Sequence, residues 1–470
     1  MVRDMFLFAL LTVLALPVMA AVKPHALISN GAVLQQGISV PVWGTANDGE
    51  RVSVSMQGQK IGTVAKGGRW MVRLKPLTAG GPFAMTISGE NSVEIKNVLV
   101  GEVWVCSGQS NMEFPLAAAA NGPEAVAASK DPMLHLFTAP RNPQDKPQTD
   151  VNGSWTECGP ETVGNFSAVG YFFGRDLRKA LGVPVGLINA SYGGTVVEAW
   201  TSQRMLVEDT DLKNLLGSLP AEYAVQNRPC YLHNGMIAPL QPYAIRGAIW
   251  YQGESNAGQA FLYRTRFPNM IRCWRADWGQ GDFPFLFAQL APFGRIVAEP
   301  KESAWAELCE AQLLTSINCP HTGMAVITDV GDEKDIHPTR KEPVGGRLAL
   351  AARATVYGQD VVYSGPAYKS MTVRGSHAIL SFASIGGGLV AKDGDLTGFT
   401  IAGEDHKFHN AHASIQADKV VVSSPQVPHP TAVRYGWADC PIVNLFNKAG
   451  LPASPFRTDD FQMLTGPKGL

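Results

Sequence analysis

The chain contains no GxSxG pentapeptide, so the strained strand-to-helix elbow that carries the serine of α/β-hydrolases is missing. It also lacks any CxxC pair or cysteine–histidine spacing of the zinc-site kind. Its seven cysteines (Cys106, Cys158, Cys230, Cys273, Cys309, Cys319 and Cys440) are scattered over 470 residues. That pattern excludes a disulfide-dense scaffold and leaves at least one thiol unpaired. Cys309 and Cys319 are a candidate bridge, although spacing alone does not bring two Cβ atoms together. There is no basic excess: 39 Lys and Arg stand against 40 Asp and Glu, a net charge of −1. A protein that neutralises a phosphate backbone needs such an excess, so no nucleic-acid partner is expected. No apolar run reaches the roughly 20 residues that cross a bilayer, and neither internal repeats nor low-complexity linkers occur.

The chain has a globular balance, 45% hydrophobic and 17% charged, and enough length for two or three domains of roughly 100–200 residues. Residues 1–20 read as a signal peptide: Arg3, an apolar run from Met5 to Leu16, then Pro17-Val18-Met19-Ala20 with small residues where a peptidase would cut. The expectation is export to the periplasm or beyond, with no stable membrane insertion after cleavage. From 22 to 98, short alternating runs such as Val52-Val54-Met56, broken by Gly, Asn and Asp, predict a small β-sandwich. From 99 to 357, continuous apolar runs ("VWVCSG", "VPVGLINASYGG", "IRGAIWYQGES", "FPFLFAQLAPF", "GMAVITDVGD") alternate with helical stretches. This predicts an α/β unit with a mainly parallel sheet. In such a sheet ligands sit beyond the carboxyl ends of the strands. From 358 to 470 the pattern returns to β-rich.

Four polar turns follow strand-like runs. Ser110 follows "VWVCSG" at a helix start, where free backbone N–H groups could stabilise negative charge; taken alone it reads as an ordinary N-cap. His337 lies in "DVGDEKDIHPTRK" among Asp329, Asp332 and Asp335. A histidine next to a carboxylate is the base-and-orienter half of a triad, although solvated acidic loops are also common. Gly193-Gly194 follow "VPVGLINASY", and the absent side chains allow a backbone N–H to approach a substrate oxygen. "QGESNA" places Gln252, Glu254 and Asn256 after "GAIW", offering amide donors and a carboxylate. Each turn has a bland reading; four strand ends of one sheet would converge on one crevice. Tyr192, Trp200, Trp250 and Tyr251 are candidates to stack on a sugar, with the core as their default place. Asn234 in "HNGMIAPL" is a candidate to face the site. His406, His409 and His412 are read as surface histidines, because their segment is β-patterned and carries no HExxH. No metal and no cofactor are expected.

"GEVWVCSGQSNM", "YGGT.VEAW", "NGMIAPL", "IWYQGESNA" and "DIHP…GGRLALAAR" together resemble the bacterial sialate O-acetylesterases, a family of SGNH hydrolases with a flavodoxin-like sheet, over about residues 26 to 459. The resemblance implies a nucleophile at Ser110 and a base at His337. It also implies an oxyanion hole formed by the Ser110 amide, one of Gly193 and Gly194, and Gln252, and an O-acetylated glycan as substrate. The wider superfamily places its acid three residues before the histidine, where this chain has Lys334. Asp335, two before, is the assigned orienting acid; Glu254, Asp332 or a Ser–His dyad remain open. The function expected is removal of O-acetyl groups from sugars, foremost sialic acids. The alternatives are an esterase of acetylxylan or another plant glycan and, in a different class, a non-catalytic carbohydrate-binding protein.

Overall fold

The structure is a computed structural model that describes residues 22–220 and 222–467. The signal-peptide expectation for residues 1–20 lies outside the described residues.

The central element is the 17-residue strand Ser92–Gly108. Its first half pairs antiparallel with Gly80–Ser88, and its second half pairs parallel with Val185–Ser191 on one side and Gly247–Tyr251 on the other. The sequence change near residue 98 therefore falls inside one continuous strand. The amino-terminal β segment and the α/β segment share both a sheet and an apolar core, which runs from Val22 and Val54 through Val105 to Leu348. A strand needs hydrogen-bond partners but not the same kind of partner along its length.

Across the α/β part the strand order is Trp155–Cys158, Asp131–Thr138, Val185–Ser191, Ser92–Gly108, Gly247–Tyr251, Phe285–Ala288, Thr322–Ala325. All neighbours are parallel except the first pair. With the amino-terminal strands included, the eleven-stranded sheet is mixed. Val185–Ser191 and Gly247–Tyr251 are buried at every position, as expected of strands covered on both faces. The helix Ala168–Leu181 packs against Glu342–Thr355, and Ala260–Trp278 packs against Ala304–Asn318. Ser167 caps the first of these, its hydroxyl accepting from Gly170 N at 3.0 Å, and Gly182 ends it in the left-handed region.

Beyond residue 366 the chain forms separate four-stranded sheets, one holding Ala367–Arg374 and His377–Ala383 and another holding Phe399–Ala402 and Ala432–Tyr435, around their own core of Leu380, Ile401, Val420 and Val433. His409 and His412 lie on strands there, and the His406 ring stacks on Phe461 with 3.8 Å between centroids. All seven cysteines are free and buried, so Cys309 and Cys319 form no bridge.

Candidate active site

The strand Ser92–Gly108 ends in an abrupt turn that brings the next residues to the surface. Gly108 allows this: its φ is +135°, and a Cβ there would sit 2.1 Å from Tyr251 O. Gln109 N then bonds to Tyr251 O at 3.0 Å, and Ser110 opens a four-residue helical turn, Ser110–Glu113. No side chain caps that turn, so N–H groups of its first residues point outward without an intrahelical partner. The loop after Thr322–Ala325 brings back His337, and its Nε2 lies 2.8 Å from Ser110 Oγ although the two residues are 227 positions apart. The two side chains are therefore in hydrogen-bond contact. With Nε2 accepting from the serine hydroxyl, the imidazole proton sits on Nδ1.

The three acids of the His337 loop have different tasks. Asp329 holds Arg347 through two bonds of 2.6 and 2.7 Å. Burial alone would raise its pKa, but the guanidinium prevails and holds the carboxyl below its ordinary value. Asp332 accepts from Lys334 N at 2.8 Å and shapes the turn. Asp335 stands beside the imidazole, with Oδ1 3.6 Å from Nδ1, beyond hydrogen-bond length. Its bond goes instead to His337 N at 2.8 Å, and its side chain is 57% exposed. Asp335 is thus adjacent to the base without gripping it.

Beneath this rim lies a buried polar layer that the motifs did not announce. Asn111 Nδ2 donates to Glu254 Oε1 at 2.6 Å and to Ile336 O at 3.0 Å, and its Oδ1 accepts from Lys341 Nζ. One side chain next to Ser110 therefore fixes the carbonyl that precedes His337 and the lysine that comes after it. Lys341 is 1% exposed, and its ammonium lies 4.7 Å from the Phe114 ring centroid. Burial lowers its pKa to about 7, while the Glu254 and Asp335 charges pull it back upward. Burial also raises the Glu254 carboxyl, and hydrogen bonds only partly offset this.

Gln252 does not offer its amide to a substrate. It is fully buried, and Nε2 donates to Thr195 O at 3.0 Å and Asn256 Oδ1 at 2.7 Å, which uses both protons. Asn256 is buried too: its Oδ1 accepts from Val197 N at 2.9 Å, and its Nδ2 donates to Glu198, which holds Arg266 at 2.7 Å. These residues of the QGESNA block hold the turn after Val185–Ser191 from below. Motif position placed them at the rim, but their side chains point into the protein. Asn234 is likewise buried and donates to Gln144 O at 3.1 Å, bracing the loop after Arg141.

At the glycine turn, a Cβ on Gly193 would come within 3.2 Å of Ser110 Cβ, so the two turns pack closely here. Gly193 N–H donates to Glu113 Oε2 at 2.9 Å, and Glu113 Oε1 accepts from Arg141 Nε at 2.7 Å. The chain's own carboxylate thus occupies a donor expected to face an oxyanion. Gly194 is exposed with φ +70°. Arg141 lies over the Tyr192 ring at 4.7 Å, which places this half-buried aromatic beside the site. Trp200, Trp250 and Tyr251 are core residues with 0% exposure. Glu113, Arg141 and Lys341 were missed in the sequence, because each acts through a partner at least 28 positions away. Among the described residues no group of three or more His, Cys, Asp or Glu could hold a metal ion.

A hydroxyl bonded to an imidazole next to a close-packed glycine turn can perform acyl transfer. A family model described as carbohydrate esterase, sialic acid-specific acetylesterase, matches residues 100–353. The sialate O-acetylesterase of Homo sapiens is 30% identical over 479 residues, covering 91% of this chain and 91% of its own. The Mus musculus protein of the same name is 32% identical over 417 residues, covering 75% and 77%. Among solved structures, a carbohydrate acetylesterase from Xanthomonas citri is 42% identical with a TM-score of 0.88, covering 94% of this chain and 100% of its own.

Proposed function

The chain belongs to the sialic acid-specific acetylesterase family of carbohydrate esterases, and from that membership we propose that it is a serine esterase that removes O-acetyl groups from sialic acids through Ser110 and His337. That it is a carbohydrate O-acetylesterase follows from the family; the residue roles and the sugar are our reading. The observation that carries the roles is the 2.8 Å contact between Ser110 Oγ and His337 Nε2.

In the proposed reaction Ser110 Oγ attacks the acetyl carbonyl carbon while His337 Nε2 takes the hydroxyl proton. The tetrahedral oxyanion is met by the Ser110 N–H at the open start of its turn and by the Gly194 N–H. The Gly193 N–H joins them only if Glu113 turns aside. Collapse breaks the bond to the sugar oxygen, which leaves with the proton from His337. Water, deprotonated by His337, then attacks the acetyl-enzyme, releasing acetate and restoring Ser110. Asp335 stabilises the imidazolium through space rather than through a direct bond.

The finer fold assignment, a flavodoxin-like SGNH hydrolase in residues 99–357 flanked by β-rich segments, fits the strand order and the site at the carboxyl ends of the strands. Export fits the apolar run Met5–Leu16.

A second substrate class, neutral acetylated plant glycan such as acetylxylan, is favoured by one observation: Arg141, the cation at the rim, is already paired with Glu113. Acetate release from O-acetylated sialic acid against acetylxylan separates the two. Reaction with a fluorophosphonate tests the mechanism: label on Ser110 is expected, and an intact protein that never labels there would instead be a carbohydrate-binding protein.

A further inference from the structure

At the opposite edge of the sheet lies a cleft of about 610 Å³ between the amino-terminal β segment and the α/β part. Pro242 precedes the strand Gly247–Tyr251, and Asp277 lies in the last turn of the helix Ala260–Trp278. Both therefore belong to the amino ends of the parallel strands, whereas Ser110 follows a carboxyl end. The cleft is not an extension of the catalytic crevice, and a ligand there would not be the one undergoing reaction.

One wall is apolar, formed by Trp43 and Met71, which are paired across the strands Val40–Thr45 and Arg69–Leu74 and share a face with Arg69. The buried His25 ring lies against Trp43, with 4.6 Å between centroids. Its polar groups are unequally satisfied. Each acid has partners: Asp150 Oδ1 accepts from Ala26 N at 3.1 Å and Val151 N at 2.9 Å and lies 3.0 Å from His25 Nε2, and Asp277 pairs with Arg204. Lys23 and Arg69 are exposed, and among the described residues neither side chain has a hydrogen-bond or ion-pair partner. Gln241 Nε2 is buried and has no hydrogen-bond partner. Both cations and the Gln241 amide nitrogen are thus unengaged, whereas each acid has at least one partner. A ligand that complements them brings acceptors and negative charge, with an apolar face toward Trp43 and Met71. The volume suits one or two sugar rings.

We propose that this cleft is a second, non-catalytic binding site for a carboxylate-bearing saccharide, held by Arg69, Lys23 and Gln241 against the wall formed by Trp43 and Met71. The choice of a saccharide over other organic acids rests on the proposed function; the anionic character does not. Such a site would keep the enzyme on a polymer while the far edge works on acetyl groups.

The test is calorimetric titration of the full chain with N-acetylneuraminic acid and galacturonic acid, neither carrying an O-acetyl group, with galactose and sodium acetate as controls. The proposal expects at least one acidic sugar to bind, and Arg69→Ala and Gln241→Leu each to weaken it at least about tenfold, a difference of about 1.4 kcal/mol, with p-nitrophenyl acetate turnover unchanged. No affinity for either acidic sugar, or affinity untouched by both variants, overturns it. Galactose binding as tightly as the acids overturns the anionic assignment, and acetate doing so overturns the saccharide. Failure of the catalytic reading would show as absent Ser110 labelling and absent acetate release while these titrations remained as expected, so the two can fail separately.

Discussion

The rim of the active site and the layer beneath it are built on opposite principles. At the rim, Ser110 and His337 share one 2.8 Å bond, the His337 side chain is 39% exposed, and the nearest carboxylate stands 3.6 Å away. A few ångströms below, Asn111, Gln252 and Asn256 are buried and have almost every polar atom paired. A polar group in water costs little when unpaired, whereas one in the interior costs roughly 1–3 kcal/mol. The chemistry is placed where groups must exchange partners during turnover, and the positioning where exchange would be costly. The same short motifs feed both: in GQSN the serine goes to the rim and the asparagine to the buried layer.

Substitutions in the two layers should therefore fail differently. Ser110→Ala removes the proposed nucleophile and is expected to lower p-nitrophenyl acetate turnover by at least about 10³-fold with the melting temperature nearly unchanged; wild-type turnover in that variant would end the mechanism. Lys341→Met takes a donor from Asn111 and lets Ser110 and His337 drift, so kcat should fall by up to about 10²-fold, with KM little altered. Gln252→Ala should cost less, about tenfold in kcat, and destabilise the fold by roughly 1–3 kcal/mol. A loss of about 10² or more with an unshifted melting temperature would instead mark Gln252 as an oxyanion donor. Asp335→Asn is expected to cost least, under about tenfold, because its carboxylate is exposed and screened; a loss of about 10³ would mean that the acid closes on the imidazole during turnover.

Lys341 also gives the buried layer a pH signature. The unfolded lysine titrates near 10.4 and the folded one at about 7. Between these values the unfolded chain binds a proton that the folded chain has released, so this group adds stability as pH rises. As pH falls from about 10.4 toward 7 that contribution is progressively lost, and below about 7 both states carry the charge and the dependence ends. Lys341→Met removes the dependence, so its melting temperature relative to the parent should be more favourable at about pH 6 than at about pH 9. Thermal scans at both values check the sign.

Much of this was legible in the chain. Alternation in Arg51–Met56 and continuous burial in Val185–Ser191 follow directly from their residue patterns. The strand-end turns singled out Ser110, Gly193 and His337 only in combination, because each turn alone has an ordinary structural reading and it was their convergence at the strand ends of one sheet that pointed to a site. What failed was direction. Gln252 and Asn256 were assigned outward from motif position, but whether an amide after a strand points to solvent or to Thr195 depends on the neighbouring loop. The change at residue 98 read as a boundary, yet the Ser92–Gly108 strand runs through it, because backbone pairing is indifferent to the composition that marked the change.

The sequence by itself determined which segments are strands, which turns carry reactive groups and which family the motifs resemble, since these depend on local patterns of apolar and polar residues. Only the tertiary structure decided that Ser110 and His337 touch across 227 positions, that Glu113 occupies the Gly193 N–H, and that Asp335 stands too far from the imidazole to hold it. Those facts are distances between groups remote in the chain, and a distance is fixed by how the layers pack rather than by what either residue is.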